Sequence, residues 1–266
     1  MARANRHFIP DNIWHLTHRC HKREFLLKFS KDRNYWMELL FEAKKRYGLS
    51  ILNFIVTSNH IHLIVYSDSR PDVSPKSMQL IAGRTGQNYN RRKSRRGAFW
   101  EDRYHATAIE SGEHLWRCLV YVDLNMVRAG VVSHPTEWRW SGYHEIQKPK
   151  KRYRVIDHDK LRHFLDVETN EILSGTYRGW IDGLLKNKPD RQAFYSESLA
   201  VGSEGFMERV KQSLGIRAIG RRVKHVSESG YQLKESIAMY EVTGENDNSC
   251  YRRKNNTEMN SICWKQ

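Results

Sequence analysis

The amino-acid sequence predicts an α+β fold in which an antiparallel sheet is flanked by helices. The first observation is the order of apolar patterns over residues 12–130, which runs strand, helix, strand, strand, helix, strand, helix. The second is that two strand-like runs, 49–58 and 60–69, follow each other almost directly, as in a β-hairpin. Helices combined with a hairpin favour a helical layer packed on an antiparallel sheet.

The first two elements follow from their periods. Residues 12–20 alternate between apolar and polar side chains, which is typical of a strand. From residue 30 to 47 the apolar side chains instead repeat along one helical stripe, and Gly48 follows as a C-terminal stop. The chain therefore begins with a strand and a helix.

The predicted hairpin carries two histidines. A polar Thr-Ser-Asn turn joins its strands, so His60 is expected at the very start of the second strand. Strand side chains alternate, which puts His60 and His62 on one face, about 7 Å apart along the strand. Neutral imidazole is a common metal ligand, and this spacing lets two nitrogens bind one ion.

Three further elements complete the pattern. Residues 75–91 are predicted to form a helix and residues 99–109 a strand. The stretch from Ser111 to Gly130 has the capping signals of another helix. Within it Tyr121 and Asn125 stand four residues apart and so share a helix face.

The chain divides at a basic stretch. Residues 147–154, QKPKKRYR, read as a basic linker between residues 1–146 and the rest. Residues 155–242 contain helical patches and are expected to form a mostly helical accessory domain, with a possible DNA-binding role. Residues 243–266 are polar and aperiodic, and we expect a poorly ordered tail.

Composition narrows the class of partner. The 266 residues carry a formal net charge of +15, which favours a polyanion, with nucleic acid ahead of a membrane surface. The four cysteines form no C-x-x-C pair, and no apolar run is long enough to span a bilayer. We therefore expect a cytoplasmic protein that acts on nucleic acid and has no membrane partner.

Several stretches together resemble the HUH-class single-tyrosine transposases, with the closest likeness to the REP-associated tyrosine transposases. FIVTSNHIHLIV resembles the catalytic strand of that family, GRTGQNYNRR its central helix and FWEDRYHA the strand that follows. YVDLNMVRAGVV and WRWSGY resemble its catalytic helix and exit. The likeness covers residues 1–146 in order, and it implies a ferredoxin-like HUH fold for them.

The resemblance also implies a chemistry. Tyr121 would be the nucleophile, His60 and His62 two metal ligands, and Asn125 a third, with Mg²⁺ or Mn²⁺ as the metal. The enzyme would cut single-stranded DNA through a 5′-phosphotyrosine and rejoin it, acting on palindromic repeat hairpins. A phenol ionises only near pH 10, which explains the need for a cation and for in-line positioning. Asp123 is an alternative to Asn125 as ligand, if the helix is rotated.

The predicted DNA contacts lie mainly in residues 84–96, where six of thirteen residues are basic. Cationic side chains bind phosphates and aromatic faces stack on bases in single-stranded DNA complexes. Arg103 and Tyr104 match an Arg-Tyr pair of the family and would touch the substrate near the metal. The full predicted set is Arg84, Tyr89, Arg91, Arg92, Lys93, Arg95, Arg96, Trp100, Arg103 and Tyr104.

The sequence allows two alternatives to a strand-transfer enzyme. One is a domesticated protein that holds DNA hairpins without cutting them, and the other is a small hydrolase. The presence of all four reactive positions favours the enzyme. A small zinc hydrolase built on His60 and His62 lacks a third His or Glu and leaves the positive charge unexplained. Both a monomer and a homodimer are compatible with the sequence.

Overall fold

The computed structural model describes residues 9–186, 192–226 and 230–234. The strands are β1 (Asn12–Arg19), β2 (Ser50–Val56), β3 (His60–Ser67), β4 (His105–Ile109), β5 (Ala200–Gly202), β6 (Arg222–His225) and β7 (Tyr231–Lys234). Within the described residues they form one sheet in the order β2-β3-β1-β4-β5-β7-β6. The helices are α1 (Ser30–Tyr47), α2 (Val73–Arg92), α3 (Glu113–Asp123), α4 (Asn125–Arg128), α5 (Tyr143–Gln147), α6 (His158–Leu165), α7 (Asn170–Lys186), α8 (Phe194–Glu197) and α9 (Glu204–Leu214). The predicted α+β fold, a sheet flanked by helices, is confirmed.

β1 is the central strand of the predicted sheet. It pairs antiparallel with β3 on one side and with β4 on the other. Thr17 lies opposite His62 in β3 and opposite His105 in β4, so these three side chains share a face. His60 lies opposite Arg19 and joins the same face. The register therefore confirms that the two histidines of the hairpin point to one side.

The helices cover the two faces of the sheet differently. Asn53 of β2 donates a hydrogen bond to Asp123 at the end of α3, which puts α3 on the face that carries His62. His18 alternates with Thr17 and so points to the other face, where its ring stacks on Trp100. The indole of Trp100 in turn donates to the carbonyl of Ala82 in α2. α2 therefore packs on the face opposite the histidine pair.

Several predicted bounds are refined. α1 runs over the predicted residues 30–47 and ends at Gly48 in a left-handed conformation, with φ 72°. The predicted strand 99–109 is shorter, because only 105–109 pair along β4, while Trp100 makes a single bridge to Cys20. The predicted helix after Gly112 is interrupted at Leu124 between α3 and α4.

The C-terminal part, meaning the described residues from 155 to 234, contains the predicted helices and also three strands that were not predicted from the sequence. β5 adds to β4 in a parallel pair, and β7 and β6 follow it, so this part extends the same sheet. Strands of three or four residues are too short to give a readable period. The last residue of the predicted linker is in contact with α1, since Lys44 Nζ donates to the carbonyl of Arg154 at 3.0 Å and to that of the following residue, Val155, at 2.9 Å.

The described residues up to Lys234 form one compact unit. The predicted boundaries 1–146, 147–154 and 155–242 stay predictions, and the tail predicted at 243–266 lies outside the described residues. None of the helices in the described ranges is long and apolar enough to cross a membrane.

A buried carboxyl joins the α3 helix to both parts of the chain. Asp123 Oδ2 accepts hydrogen bonds from Asn53 Nδ2 in β2, at 3.1 Å, and from the hydroxyl of Tyr177 in α7. Burial raises the pKa of Asp123 to about 7, although the hydrogen bonds from Tyr177 and Asn53 act in the opposite direction. The folded protein thus keeps a proton on Asp123 over a pH range where the unfolded chain has lost it.

The buried carboxyl predicts a pH-dependent stability. Between the ordinary carboxyl pKa near 4 and a pH of about 7, unfolding releases the proton of Asp123, so stability falls as pH rises. Asp123→Asn still accepts both hydrogen bonds but has no proton to release. Urea unfolding should show the wild type losing stability relative to this variant by roughly 1 kcal/mol per pH unit between pH 5 and 7. Glu171→Gln, at an exposed carboxyl, is the control. A wild-type to Asp123→Asn difference independent of pH would contradict this explanation.

Candidate functional site

Two imidazoles and one amide meet on the face of the sheet that α3 covers. His60 Nε2 lies 3.2 Å from Asn125 Oδ1, and His62 Nε2 lies 2.9 Å from Asn125 Nδ2. The two rings are 4.9 Å apart, centre to centre. β3 supplies the histidines and the first residue of α4 supplies the amide. The structure thus brings together the three residues that were predicted as metal ligands.

The hydrogen bonds around His60 orient its ring. Asn59 Nδ2 donates to the carbonyl of Arg23, so its Oδ1, 2.7 Å from His60 Nδ1, is an acceptor. His60 Nδ1 therefore carries the proton, which leaves a lone pair on Nε2 of the neutral ring. That nitrogen faces another electron-pair donor, Asn125 Oδ1. A cation between the two atoms would be stabilised by both of them.

The donor set is compatible with Mg²⁺ or Mn²⁺. Adjacent ligands of an ion coordinated at about 2.1 Å lie about 3 Å apart, close to the 3.2 Å between His60 Nε2 and Asn125 Oδ1. Burial, together with the neighbouring histidines, lowers the pKa of His62 well below its usual value and keeps that imidazole neutral, as a ligand must be. Binding one ion with all three residues requires the Asn125 N–H group to leave His62.

Asp123, the alternative ligand, lies elsewhere. Its carboxylate is buried against Asn53 and Tyr177, away from the histidine pair. Two residues along a helix differ by about 200° in direction, so Asp123 and Tyr121 point to nearly opposite sides of α3. Among the described residues no group of three His, Cys, Asp or Glu side chains could hold a metal ion. A set made only of those residue types, such as a zinc hydrolase would use, is therefore not found in the described ranges.

Tyr121 lies beside this cluster. Its ring meets that of His62 edge-on, with 5.8 Å between the ring centres. Its phenol oxygen lies 2.9 Å from Oγ of Ser196 in α8, and the residue is only 6% exposed. The guanidinium of Arg128 lies over the ring, 4.5 Å from its centre, and donates to the Tyr121 carbonyl. The predicted nucleophile is therefore adjacent to the ligand set but covered by the C-terminal part.

A cavity of about 720 Å³ opens over these residues. Its wall includes His60, His62, Tyr121 and Asn125 together with Ser196. The charged residues of the wall are Arg19, Arg23, Arg103, Arg128, Glu101, Asp102 and Glu197. Four arginines around a neutral ligand set are suited to a phosphate group. Of the predicted DNA contacts, Arg103 is the one that lines this cavity.

The other predicted DNA contacts fall into three groups. Arg91, Lys93 and Arg96 are exposed near the end of α2. Arg84, Arg92 and Arg95 are ion-paired with Glu42, Asp32 and Glu24, respectively. Tyr89, Trp100 and Tyr104 have packed rings, with Tyr89 and Trp100 against Phe99 and Tyr104 buried. The roles of all these residues in DNA binding stay predictions.

Some functional candidates were missed. His15, Asn59 and Arg128 contact the ligand set or Tyr121, and Ser196 contacts the phenol. The exposed rings of Phe25 and Phe29 were also overlooked, although Lys93 Nζ lies 5.4 Å from the centre of the Phe29 ring. Phe29 lies between Lys28 and Lys31 in the sequence, and an aromatic residue among basic residues could have indicated a base-stacking position. His15 and Ser196 carry no local signal, because their partners are distant in sequence.

Part of the chain is similar to known proteins. Residues 10–123 match the family described as IS200-like transposases. No curated protein matches the chain. One similar solved structure is a REP-associated tyrosine transposase bound to a REP hairpin, with 20% identity and a TM-score of 0.46, over 55% of this chain and 84% of that one. Another is a candidate transposase from Deinococcus radiodurans, with 15% identity and a TM-score of 0.32, over 44% of this chain and 91% of that one.

The contact between Tyr121 and Ser196 predicts an energetic coupling. Tyr121→Phe and Ser196→Ala each remove one partner of a partly buried hydrogen bond. A double-mutant cycle read by urea unfolding should give a coupling of about 1 kcal/mol. The matched cycle of Tyr121→Phe with Ser69→Ala, at an exposed serine, should be additive. Additivity in both cycles would mean that the two hydroxyls do not interact in solution.

Proposed function

From the match of residues 10–123 to the family of IS200-like transposases, we propose that the protein is a transposase of this type and that it cleaves and rejoins single-stranded DNA through Tyr121. The observation that carries the proposal is the meeting of His60, His62 and Asn125 beside the Tyr121 ring. A phosphate bound at this cluster would lie next to the phenol.

The reaction exchanges one phosphodiester for another. The phenol oxygen of Tyr121 attacks the phosphorus, the bond from phosphorus to the 3′ oxygen breaks, and the phenol proton is lost while the 3′ oxygen gains one. The products are a 5′-phosphotyrosine and a free 3′-OH. Attack by a second 3′-OH reverses the step and restores the tyrosine. Because equal bonds are made and broken, no nucleotide cofactor is needed.

The residues of the site have separate roles in this reaction. His60, His62 and Asn125 would hold Mg²⁺ or Mn²⁺, which when bound supplies positive charge to polarise the scissile phosphate. Arg128 holds the ring and the backbone of Tyr121 and so orients the nucleophile. Arg19 and Arg103 line the cavity, where they can bind the phosphates on either side of the cut.

The DNA strand would extend from the cavity over the end of α2. Arg91, Lys93 and Arg96 are exposed there and suited to phosphates, and the exposed rings of Phe25 and Phe29 offer stacking faces for bases. Phe29 is tied to this surface by Lys93. By the sequence resemblance, the substrate is a palindromic repeat hairpin of the REP type.

A specific observation favours a second candidate, a hairpin-binding protein that does not cut. Tyr121 is only 6% exposed and its phenol is engaged by Ser196. For cleavage to occur, the DNA must therefore displace the Ser196 hydroxyl from the phenol oxygen of Tyr121. If it does not, the protein binds the hairpin without cutting it. The two candidates predict the same DNA binding and differ in whether a covalent product forms.

Covalent trapping separates the two candidates. Purified protein incubated with a labelled single-stranded hairpin and Mn²⁺ should give a protein–DNA band on a denaturing gel, lost with EDTA and with Tyr121→Phe. Tyr153→Phe removes a highly exposed hydroxyl elsewhere and should keep the band. Tight hairpin binding with no covalent band in Mn²⁺ or Mg²⁺ would instead favour the non-cutting protein.

The exposed cations at and just after the end of α2 predict a change in the salt dependence of DNA binding. Replacing Arg91, Lys93 and Arg96 with Gln removes three phosphate contacts. A plot of the logarithm of the DNA association constant against the logarithm of the salt concentration has a negative slope, and its magnitude should decrease by about 2 for single-stranded DNA. The same loss of charge at the exposed residues Lys148, Lys151 and Arg152 is the control and should change the slope less. Equal slopes for the two triple variants would contradict this prediction, because they would mean that the DNA contacts both sets of residues or neither of them.

A further inference from the structure

A third histidine lies behind the ligand pair. His15 of β1 is fully buried, and its Nε2 lies 2.8 Å from His62 Nδ1. On its other side, His15 Nδ1 lies 2.8 Å from the backbone carbonyl oxygen of Tyr195 in α8. The rings of His15 and His62 are nearly parallel, with 5.0 Å between their centres. A continuous row of hydrogen bonds therefore runs from the Tyr195 carbonyl through His15 to His62.

The carbonyl at one end of the row decides where the protons lie. A carbonyl oxygen only accepts, so His15 Nδ1 must donate to it. His15 is fully buried, where a neutral ring is favoured, and with its one proton on Nδ1 the ring keeps a lone pair on Nε2. That lone pair accepts the N–H of His62 Nδ1. The remaining nitrogen of His62, Nε2, is then bare and directed at Asn125.

We propose that His15 and the Tyr195 carbonyl are positioning groups that hold His62 in the tautomer able to bind a metal through Nε2. The proposal rests on the proposed function for its purpose, since it concerns the same ligand set. It assigns part of the metal site to α8, which lies outside residues 10–123 that match the family.

The surrounding contacts keep the carbonyl in place. α8 contacts β1 and β4. Just after it, the carbonyl of Ser198 accepts hydrogen bonds from Thr107 Oγ1 and His105 Nε2 of β4, at 2.6 and 3.0 Å. Thr107 lies directly opposite His15 in the sheet. The strand that neighbours His15 therefore also anchors the segment that orients it.

The other tautomer of His62 is disfavoured by the same contacts. With its proton on Nε2, His62 would direct an Nδ1 lone pair at the lone pair of His15 Nε2, in a buried site. His15 cannot turn its own proton around without leaving the Tyr195 carbonyl without a donor. A ligating histidine commonly has its second nitrogen fixed in this way, which orients the ring and raises its basicity.

The first test reads the tautomer directly in unmodified protein. Ring-nitrogen NMR of the EDTA-treated, ¹⁵N-labelled wild type at pH 8 should show His62 with a protonated Nδ1 and an unprotonated Nε2, its signals assigned by their loss in His62→Gln. A proton on Nε2 of His62 would overturn the proposal. This measurement requires no variant of His15.

The second test measures metal affinity from the EPR signal of free Mn²⁺. His15→Leu removes both hydrogen bonds and should raise the Mn²⁺ dissociation constant about 10- to 100-fold. His15→Gln can donate to Tyr195 and accept from His62, and should restore affinity to near the wild-type value. His158→Leu is the control, because His158 is a buried histidine without a side-chain hydrogen bond to the described residues, and it should bind Mn²⁺ normally.

The outcomes separate this proposal from the proposed function. Wild-type affinity in His15→Leu, or a His158→Leu variant that is equally weakened, would overturn the positioning role even if the covalent DNA product forms. A His15-dependent Mn²⁺ site in a protein that forms no covalent product would support the positioning role and refute strand transfer. Failure of His15→Gln to restore affinity would also count against hydrogen bonding as the cause.

Discussion

The register between β1 and β3 is the constraint on which the site depends. It places Arg19 opposite His60 and Thr17 opposite His62, so both imidazoles point to the face that α3 and α4 cover. A slip of one residue would turn both histidines to the other face, beside α2. The alternating apolar residues Ile61 and Leu63, both fully buried, make such a slip costly. The same residues that form the core thus fix the direction of the two histidines.

The docking of α3 is the second requirement, and it depends on a buried polar contact. Asp123 is held by Asn53 of β2 and by Tyr177 of α7, and it lies on the side of α3 away from Tyr121. The hydrogen bonds of Asp123 therefore set the rotation of the helix without occupying the site. The short break at Leu124 still allows Asn125, at the start of α4, to reach the histidines. The C-terminal part contributes to this docking, through Tyr177, and to the site itself, through Ser196.

The parts of the site that were predictable share a local sequence signal. The spacing of His60 and His62 within a strand and of Tyr121 and Asn125 within a helix gave their common faces directly. Trp100 was predicted as a base-stacking residue because an aromatic residue follows a basic run; its ring stacks on His18, a contact between distant residues that the sequence did not indicate, and its role in DNA binding stays a prediction. His15 was not predictable, because its partner Tyr195 lies 180 residues away and no period connects them. The three strands of the C-terminal part were not predicted, because strands of three or four residues are too short to show an alternating pattern.

The central claim is that His60, His62 and Asn125 form one cation site beside Tyr121. Anomalous diffraction from crystals of the wild type grown with Mn²⁺ tests it most directly. The account predicts a single strong peak within bonding distance of Nε2 of both histidines and of Asn125 Oδ1. A Mn²⁺ peak bound elsewhere, or none at these residues at saturating Mn²⁺, would contradict it.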